Sequence, residues 1–156
     1  MEQSSEIPGM DEVFTDEVKF RIEHAIHHAE MSTSAELRVH LEDHCPENPL
    51  DRASFIFSQL NMHTTNQRNG VLIYLALKDR KLAIIGDVGI NVHMPENAWN
   101  DIYTSMSEFL KTGRYEQGLI HGVEEVGKAI KSHFPIQHGD RNELPNQVTT
   151  GNNLKT

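Results

Sequence analysis

Gly86-Asp87-Val88-Gly89 follows the apolar run Ala83-Ile84-Ile85 and sets one carboxylate between two glycines at a predicted strand end. Glycine takes backbone conformations that other residues avoid, and it lets the chain come close to a bound ion. The segment can therefore hold a divalent cation, or it can simply turn the chain. A hard cation such as calcium gathers about six to eight oxygens from carboxylates, carbonyls and water, so one aspartate needs partners. The other acids near predicted strand ends are Glu36, Asp43 and Asp79. Asp79 also sits in Lys78-Asp79-Arg80-Lys81, where an aspartate is an ordinary turn residue.

The chain has ten histidines, which raises the possibility of a softer metal. His40, Glu42 and His44 would share one strand face if the strand reached His44, and two imidazoles with a carboxylate can hold zinc. The Asn and Pro punctuation that begins after Cys45 favours a loop at His44 instead. His24 and His28 are one turn apart on the polar face of a predicted helix, where solvated histidines are ordinary. Cys45 is the single cysteine, which excludes an internal disulfide and a Cys-based zinc motif. No Cys-x5-Arg loop, Gly-x-Ser-x-Gly elbow or Walker loop is present. Phosphate chemistry, if the chain performs it, would need a metal to polarise the ester and activate water.

The elements that must position these residues are legible from periodicity. Phe14, Val18, Ile22, Ala25, Ile26 and Ala29 mark one helical face. Thr33-Ser34-Ala35-Glu36 matches a capping box, but Leu37, Val39 and Leu41 then alternate with polar residues, which predicts a half-buried strand. Asn48 and Pro49 open a short amphipathic helix through Ala53, Ile56, Phe57 and Leu60. Val71 to Leu77 is apolar on both faces and predicts a central strand, returning through a charged hairpin into 82–85. Two helices follow, one carrying Trp99, Ile102, Met106 and Phe109, the other Leu119, Val123, Val126 and Ile130. Gly118 and Gly122 lie four apart on the second, which predicts a close contact there.

The order predicts one three-layer α/β/α domain over 11–135, with a small mixed sheet built from a parallel crossover and an antiparallel hairpin. Its core would come from Val71, Ile73, Leu75, Ala83 and Ile85, with a loose leader over 1–10 and a flexible tail over 136–156. Strand direction sorts the acids. Asp43 and Asp79 share one end of the sheet, while Asp87 lies at the other end with Glu36, Arg68 and Asn69. The formal charge of −9, from 23 acidic and 14 basic residues, argues against nucleic acid or an anionic membrane as a main partner. No basic, apolar leader and no run of about 18 apolar residues occurs, so the expectation is a cytoplasmic protein without a membrane span.

Four segments together resemble the TPM-domain family: Asn69-Gly70-Val71-Leu72, Asp79-Arg80-Lys81, Gly86-x-x-Gly89 and Gly113-x-Tyr115-x-x-Gly118-Leu119. The resemblance spans roughly Val13 to Phe134. It implies a compact mixed sheet between helices. Members of that family, which includes thylakoid-lumen proteins linked to photosystem II repair, have been described as phosphatases and as binders of divalent cations, calcium in particular. Many relatives carry Gly-x-Gly followed soon by an acid, whereas this chain has Gly86-Asp87-Val88-Gly89 with Asn91 after it. The combined expectation is a weak calcium or magnesium site, with Glu36 and Asp87 as charged ligands and Asp79 with Asp43 as the reserve. The module would act through partner proteins and not as an enzyme; the alternative is a metal-assisted phosphomonoesterase.

Overall fold

The computed structural model describes residues 7–131, 133 and 144–154. Residues 1–6 of the predicted leader and 136–143 and 155–156 of the predicted tail lie outside the described residues, as do Phe134 and Pro135 at the end of the predicted domain. Among the described residues four strands, β1 (Glu36–Glu42), β2 (Gly70–Ala76), β3 (Lys81–Gly86) and β4 (Thr149–Thr150), form one sheet in the order β3-β2-β1-β4. β1 and β2 are parallel, with Glu36 opposite Gly70 and Glu42 opposite Ala76. β2 and β3 form the predicted antiparallel hairpin, with Val71 opposite Gly86. Helices α1 (Met10–Val13), α2 (Asp16–Glu30), α3 (Pro49–Gln59), α4 (Val88–Asn91), α5 (Asn100–Lys111) and α6 (Tyr115–Lys131) complete the domain.

The sheet has a core on each face. Leu37, Val39, Leu41, Val71, Ile73 and Leu75 pack with Ile22 and Ile26 of α2, Met106 of α5 and Val123 of α6. Leu72, Tyr74, Ala76 and Ala83 pack on the other side with Ala53, Ile56 and Phe57 of α3. β2 is buried along its whole length, as its unbroken apolar run predicts. Ala83 belongs to the second core, and Ile85 is half-buried at its margin. A strand forms at 36–42 where the alternation predicts one, against the capping-box match, but all seven of its residues are buried, so β1 is covered on both faces and not half-buried as expected.

The strand-flanking helices form where their ends are prepared. Asn48 accepts a hydrogen bond from Leu50 N–H at 2.8 Å and Pro49 opens α3. The first predicted helix is broken: Phe14 lies in the gap, and Thr15 starts α2 afresh by accepting from Val18 N–H at 3.2 Å. On α6, a Cβ at Gly122 would collide with the Met106 thioether, and one at Gly118 would come within 3.0 Å of Phe109 Cβ. These two glycines let α5 and α6 lie in close contact.

The end of the chain differs most from expectation. Leu144, Val148 and Thr149 are buried, and β4 pairs in parallel with His40 and Leu41 of β1. Apolar anchors are sparse there, but polar contacts add to them: Leu144 N–H donates to Glu36 and Val148 N–H donates to Glu23 at 2.8 Å. Among the described residues no helix is long and apolar enough to cross a membrane.

Candidate functional site

At the hairpin end, the Asp79 N–H bonds the Asp43 carbonyl at 3.1 Å, so the two predicted acids are neighbours. Both Asp79 oxygens are engaged, one 3.0 Å from His44 Nδ1 and the other accepting from Cys45 N–H at 2.8 Å. The His44 hydrogen bond, then the Cys45 N–H, hold the Asp79 carboxyl below its ordinary pKa. Asp43 accepts from the Met10 N–H at 2.8 Å, which pins the start of α1 to the sheet.

His44 therefore leaves the face of β1, which ends at Glu42, and the His40-Glu42-His44 zinc set does not assemble. His40 is fully buried, with Nδ1 2.8 Å from Thr149 Oγ1 and Nε2 3.1 Å from Glu42 Oε2. Glu42 also accepts from Arg52 Nε and Nη2 at 3.1 and 2.7 Å, and from the Tyr74 hydroxyl at 2.9 Å. Burial alone would raise the Glu42 pKa, but hydrogen bonds from His40, Arg52 and Tyr74 outweigh it and hold the group at about 2. This buried network joins α3, β1, β2 and β4.

The opposite end holds Asp87. Arg68 has a left-handed backbone (φ 51°) and its guanidinium forks onto Asp87, Nε to Oδ2 at 2.7 Å and Nη2 to Oδ1 at 2.8 Å. Asp87 Oδ1 also accepts from Val88 N–H at 2.7 Å and so caps α4. A Cβ at Gly89 would collide with the carbonyls of Gln67 and Arg68, and the Gly89 N–H bonds the Arg68 carbonyl at 2.9 Å. The glycine-flanked carboxylate thus closes a turn against the 67–69 loop.

Glu36 has a different acid beside it. Glu30, at the end of α2, accepts from Leu37 N–H at 2.8 Å, and Glu36 accepts from Leu144 N–H at 2.5 Å. Burial drives the Glu30 pKa up, the Leu37 N–H offsets part of this, and the charge of Glu36 adds to the rise; the result is about 8. Two neighbouring backbone contacts tie this corner together: Glu36 N–H donates to the Asn69 carbonyl at 3.0 Å, and the Asn69 amide donates to the Ser34 carbonyl. Ser34 Oγ and Asn69 Oδ1 are buried there without a hydrogen-bond partner among the described residues. Glu30 is not among the predicted site residues, because a glutamate at a helix end carries no mark of burial in the sequence.

Among the described residues no group of three or more His, Cys, Asp or Glu side chains could hold a metal ion. The predicted ligands thus fall into three places: Glu36 with Glu30, Asp87 with Arg68, and Asp43 with Asp79.

The comparisons with known proteins bear on the fold and the family. No curated protein matches the chain. The solution structure of the BA42 protein from Bizionia argentinensis is 39% identical, with a TM-score of 0.82 over 88% of this chain and 94% of that one. The N-terminal domain of a protein from P. gingivalis shares the fold at 18% identity, with a TM-score of 0.61 over 82% of this chain and 90% of that one. The N-terminal domain of the cg2496 protein from Corynebacterium glutamicum does so at 14% identity, with a TM-score of 0.59 over 74% and 72%. The family model for the TPM domain matches residues 10–129, and the chain belongs to that family.

Proposed function

We propose that this TPM domain is a binding module that takes up a divalent cation, calcium or magnesium, weakly at Glu36 and Glu30 and acts through partner proteins. The observation that carries this is the pair of orphaned buried oxygens, Ser34 Oγ and Asn69 Oδ1, in the corner where burial and the charge of Glu36 raise Glu30 to about 8. A cation would satisfy these oxygens and neutralise the repulsion between the carboxylates. Asp87 is a poorer ligand, because binding would have to break its fork with Arg68 and its cap on α4. Two carboxylates support a dissociation constant of about 10⁻⁴–10⁻³ M. At that strength a millimolar cation stabilises the fold by about 0.5–1.5 kcal/mol.

Calcium and magnesium titrations followed by amide shifts are the test. Shifts should begin at 30, 34–37 and 69, and affinity should rise from pH 6 to pH 8 as Glu30 gives up its proton. Glu36→Gln should abolish them. Shifts confined to 42–45 and 78–81 would move the site to Asp43 and Asp79, and no shifts at either end would end the cation proposal. The same samples are assayed with a generic phosphate monoester. Metal-dependent turnover lost in Glu36→Gln would replace the binding module with a metal-assisted phosphatase.

A further inference from the structure

A pocket of about 520 Å³ opens between the β2–β3 hairpin and α5, at the carboxyl end of the parallel strands. That volume lies within the range of about 300–1,000 Å³ typical of small-molecule sites, and open α/β sheets bind ligands at this end. Its inner wall is apolar and buried, formed by Leu75, Leu77 and Leu82. Its mouth carries Arg80 and Lys111, with Glu108 as the single acid among the lining residues.

Two features of the mouth point to an anion. Neither the Arg80 guanidinium nor the Lys111 ammonium has an ion pair or hydrogen bond among the described residues, although the chain as a whole is strongly acidic. Arg80 also holds a left-handed backbone, φ 56°, a conformation that is strained for a non-glycine residue. Glycine would suit that turn position better. At the other end of the sheet, the arginine in the same conformation spends its guanidinium on Asp87; Arg80 has no such partner among the described residues.

We propose that this pocket binds a small organic anion, with a carboxylate or phosphate head between Arg80 and Lys111 and an apolar body against Leu75, Leu77 and Leu82. The head gains two charge-assisted contacts and the body displaces water from an apolar wall. The site is separate from the Glu30–Glu36 corner and independent of any cation there.

The test uses the full chain in chelator, titrated with octanoate, phenyl phosphate, inorganic phosphate and 1-octanol while amide shifts are followed. Octanoate or phenyl phosphate should shift Leu77, Arg80, Leu82 and Lys111, and the tighter of the two identifies the head. Inorganic phosphate and octanol should each bind at least tenfold more weakly, because each supplies half of the recognition. Arg80→Gly combined with Lys111→Gln should weaken the better ligand at least tenfold. The glycine suits its backbone position, and an unchanged melting temperature confirms that the fold is retained. Octanol equal to octanoate, inorganic phosphate equal to phenyl phosphate, an unaffected double variant, or no shifts at these residues would each overturn the proposal.

Discussion

At the scale of single residues, left-handed arginines account for much of what separates the chemistry from the sequence. Arg68 turns its guanidinium onto Asp87 only because its backbone takes φ 51°, and nothing in the residue type announces that conformation. Asp87 was therefore legible as a carboxylate in a tight glycine turn, but not as half of an ion pair and the cap of a helix. Its two tasks can be separated. Asp87→Asn keeps an oxygen for the Val88 N–H and loses the charge, whereas Asp87→Ala loses both. Losing a cap costs about 1 kcal/mol, while an ion pair whose arginine is nearly half exposed contributes little. Denaturant unfolding should show Asp87→Ala destabilised by about 1–2 kcal/mol and Asp87→Asn by much less. Equal losses would mean that the charge pair, not the cap, secures the turn.

At the scale of elements, the sequence was a good guide wherever periodicity and end signals agree. The strand at 36–42, the two-faced apolar run of 71–76 and the Asn48-Pro49 start of α3 each form where predicted, although 36–42 is buried on both faces where its alternation predicts burial on one. What periodicity does not reveal is where an element's end meets another's polar groups. Glu30 ends α2 against β1, and Glu42 ends β1 against Arg52 of α3. These two carboxyls pull stability in opposite directions with pH. Glu42 is held at about 2, so its contribution is present above the unfolded value of 4.5 and is lost as pH falls from there through 2. Glu30 is raised to about 8, so its contribution is complete below 4.5 and is lost as pH rises from there through 8. Glu30→Gln should remove the second slope and leave the first. Urea unfolding at pH 5 and pH 8 should find the variant's stability flatter between the two, and greater than the parent's at pH 8 by more than about 1 kcal/mol. Parallel profiles from parent and variant would show that Glu30 is ionised at neutral pH.

For the whole molecule, the layers and the strand directions follow from local patterns, while the closing of the sheet by β4 does not. Thr149 and Thr150 carry no apolar alternation, and the anchors Leu144 and Val148 are too sparse to stand out in a polar stretch. Their partners are more than a hundred residues away in the chain: Val39 and His40 for Thr149, and Glu36 for Leu144. A contact of that kind is set by the surface that β1 offers, not by the sequence near the end. Ending the chain at residue 143 isolates this contribution. It removes two buried aliphatic side chains, each worth about 1.5–3 kcal/mol, strips His40 of its Thr149 contact, and frees the edge of β1. The expected loss is about 3–5 kcal/mol, with faster amide exchange at His40 and Leu41 while β2 and β3 stay protected. A bare parallel edge also invites pairing with another chain, so the shortened protein should self-associate at concentrations where the full chain does not. Unchanged exchange at His40 and Leu41 in the shortened chain would show that β1 is the true edge of the sheet in solution, with 144–154 contributing nothing to the fold.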